Sequence, residues 1–434
     1  MNSQVLQKII NNSSWLMLDK LTRLLLGLTV TAWVARHLGP ESYGELAYVL
    51  AIVAFCQAFA KLGLDTIVVR DVSVGNISTE ILLGNTLFSR FLFGTIIYVI
   101  VAISTFFIAD TNTALMFCFA GIAMIFQASE TVDLWFQSQS KSKLTVRAKL
   151  ISYIISALIK VGLILFNAPV FWFAFIFSIE YLITAVGLFF VYKKDPTKTR
   201  WEVDKSVLIS KLKESFPYLI TSVSMLIYIR IDQVLISNIL SSHDLGVYSA
   251  VLPFSTLWNF IPVVLSISIA PYLSKIKKNS QVEYEKAIRL MFSTFTIFGL
   301  AISVFMYLAS DFFVRIILGE QYLAGVEILQ LHSFTNIFIC IGVAQGLWIV
   351  NEGRGYVALI RTLLGALISL IGNYYLLPLY GVKSAAFVAV LAQSVQAVFS
   401  NLLVDRKIFI LQLRCIFLVE PFEFLIKRVR SSGN

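Results

Sequence analysis

The sequence predicts an all-α integral membrane protein. About twelve transmembrane helices form two six-helix lobes, related by a parallel pseudo-two-fold repeat around a central cationic cavity. Three observations lead there. Of 434 residues, 58% are hydrophobic and 14% charged, and mean hydropathy is +0.82, values that a water-soluble chain of this length does not combine. The apolar residues gather into stretches of about 20, separated by Gly, Pro and basic residues. Several stretches also hold a charged side chain, which costs roughly 2.5–3.5 kcal/mol at mid-bilayer and so faces a bundle interior or a wet cavity.

In chain order, residues 12–36 form the first span and 44–63 the second, with Gly39-Pro40 between them. Spans 82–108 and 113–137 follow, then 147–166 and 170–192, parted by Asn167-Ala168-Pro169. After Asp195-Pro196 and a basic run come 215–240, 246–271 and 287–309. The last three are 325–350, 355–378 after Gly353 and Gly355, and 381–403 after Pro378. Helices are expected because each backbone polar group in lipid must find its partner within the segment. Cys56, Cys118, Cys340 and Cys415 have no paired spacing and read as small apolar residues rather than disulfides or metal ligands. The first apolar stretch lacks the pattern of a cleaved signal and is expected to be retained.

The loops alternate in charge. One side carries Lys8, Arg70, the Lys141 to Lys149 cluster, the run from Lys193 to Lys213, Lys275 to Arg289, Arg354 and the tail from Arg406 to Arg430; the other has Arg36, Arg315 and Lys383. The bias toward cations on the inner side places both termini of a multi-pass membrane protein in the cytoplasm. It also accounts for the net charge of +10 without nucleic acid. The outer loops are short and leave no room for an extracellular domain.

Four regions result: an N-terminal lobe (1–192), a cytoplasmic linker (193–214) with Leu208 and Leu212 on an amphipathic stripe, a C-terminal lobe (215–404), and a basic interfacial tail (405–434) attracted to anionic lipid. The lobes resemble each other. Leu38-Gly39-Pro40-Glu41-Ser42-Tyr43-Gly44 is answered 202 residues later by Leu240-Ser241-Ser242-His243-Asp244-Leu245-Gly246. Six spans separate the copies, so both keep one orientation, as in transporters that open alternately to each side.

The intramembrane cations Lys20, Arg23, Arg90, Lys160, Arg230 and Arg361 are the candidate substrate-binding residues. A positive interior suits an anionic cargo, and guanidinium forks suit phosphate oxygens in particular. Lys20 and Arg23 are three apart on one face, and Arg23 lies roughly 16 Å deep at 1.5 Å per residue. Arg90 and Arg361 fall in the inner half, and Glu180 is the expected partner of Lys160. Arg230 and Asp232, two apart, point to different faces. Asp19, Glu180, Asp232 and His332 are the ion-coupling candidates, since a carboxyl or imidazole in a low-dielectric cavity can load and release a proton. Glu130 and Asp133, near the inner end of span four, read as solvated; Lys61 reads as snorkelling.

The run Ala35-Arg36-His37-Leu38-Gly39-Pro40-Glu41-Ser42-Tyr43-Gly44, then Gly63-Leu64-Asp65 and Arg70-Asp71, resembles the Wzx flippases of polysaccharide synthesis. These belong to the multidrug/oligosaccharidyl-lipid/polysaccharide exporter superfamily. Arg230-Ile231-Asp232, Pro271-Tyr272-Leu273-Ser274 and Leu318-Gly319-Glu320-Gln321-Tyr322 extend the likeness along nearly the whole chain. The resemblance implies two lobes in a V around a cavity. It also implies an undecaprenyl-diphosphate-linked oligosaccharide as cargo, such as an O-antigen repeat unit, with proton or sodium coupling in some members. Membrane lipids and the polysaccharide polymerase machinery are the other implied partners.

No Walker loop, metal-ligand spacing or Ser/His/Asp set appears, so neither an enzyme nor a cofactor is expected. A membrane glycan polymerase or ligase would present arginines and acids on a sizeable outer loop. A multidrug/cation antiporter of the same superfamily would line its cavity with acids. Cations dominate here, and the cargo expected is an anion.

Overall fold

The computed structural model describes the backbone of residues 3–75, 77–196 and 198–423, and side chains from residue 21 onward together with Trp15. The side chains of Asp19 and Lys20, and the last part of the expected basic tail (424–434), lie outside the described residues. The described chain is helical nearly throughout: α1 (Ser3–Lys61), α2 (Asp65–Val74), α3 (Thr79–Ile108), α4 (Thr111–Ser138), α5 (Ser142–Leu165), α6 (Val170–Lys194), α7 (Lys205–Ile239), α8 (Ser242–Asn279), α9 (Gln281–Leu318), α10 (Gly325–Glu352), α11 (Gly355–Tyr380), α12 (Lys383–Val404) and α13 (Arg406–Ile416). Among the described residues, 11 helices are long and apolar enough to cross a membrane. The first such stretch, Leu21–Val74, is 54 residues long and takes in the larger part of the first expected span and all of the second. Gly39 divides it with φ +75°, outside helical geometry, where the Gly-Pro pair had signalled a break.

These helices show the polarity of a chain solvated by hydrocarbon. Along α3, Phe91, Ile100, Ile103 and Phe107 are all exposed, a surface that water would penalise and lipid tails do not. The protein is a multi-pass membrane protein.

The chain forms two compact units, residues 1–226 and 227–434, with the division inside α7. In the first, α5 packs along α1 and α6, and α4 along α3 and α6. A core of Leu64, Val68, Leu83, Val132, Trp135, Phe136 and Leu188 gathers the α1–α2 turn with the ends of α3, α4 and α6. Gly63 completes that turn with φ +68°, and a Cβ there would lie 2.4 Å from the Leu219 backbone nitrogen. Only glycine lets the turn seat against α7. Beside it, Arg70, Asp71, Lys211 and Glu214 form a four-charge network at 2.5–2.7 Å.

In the second unit, α9 runs along α10 and α11 along α12. Leu273, Ile288, Phe292, Ile341, Trp348 and Ile349 form its core, which α13 closes with Ile408 and Cys415. The start of the tail is therefore docked on the bundle. Glu420, only 3% exposed, pairs there with Arg289 and Arg414.

One boundary differs from the expectation. The stripe holding Leu208 and Leu212 is continuous with the seventh span as α7, and Leu212 packs on the first unit's core. Residues 205–216 contain neither Gly nor Pro, so nothing ends the helix between them. Its start is set by Asp204, whose carboxylate accepts from the Ser206 hydroxyl and the Ser206 and Val207 N–H groups. Those bonds, the Ser206 hydroxyl first, hold the Asp204 carboxyl below its ordinary range.

Candidate functional site

The first unit brings Arg23, Lys160 and Glu180 together from α1, α5 and α6. Glu180 lies 3.7 Å from the Arg23 guanidinium and 3.6 Å from the Lys160 ammonium. Arg23 also donates to the Lys149 carbonyl at 3.0 Å, and its guanidinium sits 5.0 Å over the Tyr153 ring, a cation–π arrangement. The Tyr153 hydroxyl returns a bond to the Arg23 carbonyl at 3.1 Å. All three charged side chains remain partly exposed, from 17% to 31%, so solvent or a ligand reaches them.

Arg90 stands apart from this group. Its side chain is 2% exposed and contacts Asp65, the first residue of α2, at 2.5 Å. A guanidinium expected to face a cavity is thus neutralised by a carboxylate of its own unit. The acids near the end of α4 are also paired rather than merely solvated: Glu130 with Lys61 at 2.9 Å and Asp133 with Lys149 at 2.5 Å.

In the second unit Arg230 and Asp232 take different partners, as their spacing dictates. Arg230 donates to Gln233 at 2.9 Å, while buried Asp232 accepts from the Tyr248 hydroxyl at 2.5 Å. His332 is buried, with its Nδ1 2.9 Å from the Ser255 hydroxyl. That is the geometry of a packed, satisfied histidine.

Arg361, like Arg230, differs from the carboxylate-paired cations Arg23, Arg90 and Lys160. It lies two turns into α11 and donates to neutral acceptors, the Gly342 carbonyl at 3.3 Å and the Gln345 side chain at 3.1 Å. Among the described residues, no carboxylate lies within ion-pair distance of Arg361 or Arg230. The acceptor behind Arg361 is part of a chain of amides. Gln345 donates to Asn401 at 2.8 Å, Asn401 to Gln412 at 2.8 Å, and Gln412 to the Ala397 carbonyl at 2.9 Å. Gln345, Asn401 and Gln412 are each 0% exposed. The last acceptor falls where α12 widens into a π-helical turn over Val395–Phe399; such a turn alters the regular backbone ladder and recurs at functional sites.

These amides, and Tyr153 under Arg23, were not singled out from the sequence. A signal was present: Gln345 and Asn401 are amides inside otherwise apolar spans, and polar groups there need internal partners.

Comparison with known proteins follows the same lines. Residues 33–327 match the family model described as polysaccharide biosynthesis protein. A Shigella dysenteriae protein described as an O-antigen transporter is 21% identical over 356 residues, 81% of this chain and 89% of that protein. The capsular polysaccharide biosynthesis protein CapF of Staphylococcus aureus is 24% identical over 192 residues, 43% of this chain and 48% of that one. Among solved structures, the lipid II flippase MurJ in an inward closed conformation superimposes with TM-score 0.71 at 13% identity, covering 96% of this chain and 93% of its own. An inward-facing MATE-family multidrug resistance transporter of the MOP superfamily gives 0.70 at 13% identity, covering 90% and 95%. The fold is that of this transporter superfamily.

Proposed function

Because the chain belongs to the polysaccharide biosynthesis protein family, we propose that it is a flippase for lipid-diphosphate-linked oligosaccharides of the O-antigen kind. It carries them across the bacterial inner membrane by alternating access and catalyses no covalent step. The observation that carries this reading is Arg361: an intramembrane guanidinium held by neutral acceptors, with no carboxylate beside it among the described residues. A charge in that setting is costly alone, and an anionic cargo offsets the cost while gaining charge-assisted hydrogen bonds. Arg230, likewise bonded to a neutral amide, is the second contact on this reading. Lys160 and Arg23, bridged by Glu180, form a second polar group that the glycan or a coupling ion meets. Asp232 stays as an ion-coupling candidate alongside Glu180, and His332 is left out because Ser255 already satisfies it. Arg90 is left out because Asp65 already neutralises it.

A cation-exporting antiporter would require the opposite sign at Arg361. The test is glycan-export complementation with Arg361→Ala and Gln345→Glu, at matched membrane abundance. The second variant sets a carboxylate about where the Gln345 amide oxygen accepts from Arg361, so it neutralises the guanidinium without removing it. Both variants are expected to lose at least tenfold in export, the equivalent of about 1.4 kcal/mol or one charge-assisted bond. Wild-type export from both would exclude Arg361 as the anion contact.

A further inference from the structure

A cavity of about 390 Å³ opens in the first unit between α3, α4 and α6, lined by Leu87, Phe91, Phe126, Ala185, Phe189 and Trp201. Its walls are almost wholly apolar. Residues 201–204 form one wall and are fastened to α3 by three bonds: Glu202 N–H to the Glu80 carbonyl at 3.2 Å, Asp204 N–H to the Asn85 side chain at 3.0 Å, and the Asn85 amide to the Asp204 carbonyl at 3.1 Å. Gly84 makes the seam possible, since a Cβ there would lie 2.1 Å from the Glu202 carbonyl oxygen.

We propose that this cavity binds one acyl chain of an anionic membrane phospholipid, with the lipid phosphate held by Arg200 and Lys205. Two observations choose this occupant. First, the cavity begins little more than one turn inside the ends of α3 and α6, at Gly84 and Phe189 near Lys193 and Lys194, and runs about three turns deep to Phe91, so it starts where a headgroup gives way to chain. The cations flanking its wall in sequence, Arg200 and Lys205, have no carboxylate within ion-pair distance among the described residues, whereas Lys211 and Lys141 nearby are paired. Second, the Trp201 indole N–H is buried with no acceptor among the described residues, although its ring is packed against Phe189 and Tyr192. A lipid ester or phosphate oxygen supplies what that donor lacks; a wholly hydrocarbon occupant does not. Two cations near a membrane surface contribute about 1 kcal/mol each, a preference of about thirtyfold for an anionic over a zwitterionic lipid.

The site is separate from the transport reading and is tested without transport. The full chain, purified in detergent, is equilibrated with equimolar phosphatidylglycerol and phosphatidylethanolamine, and retained lipid is read by native mass spectrometry. Phosphatidylglycerol is expected to dominate by about thirtyfold in the wild type. The Arg200→Gln/Lys205→Gln variant, which touches only the exterior, is expected to fall to parity. Ala185→Phe, which fills the cavity, is expected to lose the retained lipid while remaining monodisperse. Equal retention of both lipids by the wild type would overturn the proposal, as would a preference that survives loss of both cations. Displacement of phosphatidylglycerol by undecaprenyl phosphate at equal concentration would also overturn it, by assigning the cavity to an isoprenoid chain.

Discussion

Arg90 and Arg361 are the same residue type inside apolar spans, yet their surroundings differ: one faces a carboxylate, the other neutral acceptors. Arg90 is almost fully buried against Asp65, and two of its three guanidinium nitrogens have no partner among the described residues. Removing one member of a fully buried pair costs about 3–5 kcal/mol, and replacing both members by apolar residues is often neutral; Asp65 is about half exposed, so its loss is expected to cost less than that while still leaving the buried Arg90 uncompensated. Asp65→Asn is therefore expected to reduce membrane abundance and unfolding temperature. Asp65→Asn with Arg90→Met should restore most of both, measured by a double-mutant cycle in detergent. If the double variant is worse than either single one, Arg90 does more than balance a charge. The spans' charges were legible from sequence because few residues are as conspicuous in an apolar run. Their partners were not. Asp65 is 25 residues from Arg90 and on another helix, and only the packing of α2 on α3 unites them. The glutamine and asparagine behind Arg361 carry no charge, and Gln345 and Asn401 are 56 residues apart.

Among the elements, α3 and α5 show what glycine does in a membrane bundle. A Cβ on Gly94 would lie 2.4 Å from the Met124 carbonyl oxygen, so α3 and α4 touch backbone to side-chain-free backbone. Gly162 in α5 has nothing within 4 Å of its own would-be Cβ. Overpacking costs about 1–3 kcal/mol, whereas Gly to Ala in a helix gains up to about 1 kcal/mol. Gly94→Ala is thus expected to lower the unfolding temperature and Gly162→Ala to hold or raise it. Loss of stability in both would mean that Gly162 also serves a close contact. The helices themselves were readable because a 20-residue apolar run admits few alternatives in lipid. The fusion of the linker stripe with α7 was missed because a break was assigned where polarity changed. A helix ends at a stop signal, and none lies between Lys205 and Phe216.

For the molecule as a whole, the likeness to MurJ and MATE folds at 13% identity shows how little sequence this architecture requires. Orientation is where the sequence argues for itself. Basic residues crowd alternate loops, and their surplus on one side predicts that residues 193–204 and the tail face the cytoplasm, while 310–324 faces outward. Reporter fusions after residues 195, 320 and 404 should read inside, outside and inside. An inverted or mixed pattern would reverse the leaflet from which cargo is taken.

The amide chain behind Arg361 has one more implication. Carboxamides neither gain nor lose protons across the biological range, and a guanidinium keeps its charge throughout it. A grip built from such groups ought to hold a diphosphate with equal strength in acid and in mild alkali. On the proposed reading, a dependence of turnover on acidity would originate elsewhere, with the carboxylates Glu180 and Asp232 as its candidates. The protein would thereby separate the grasp on its passenger from the force that drives it.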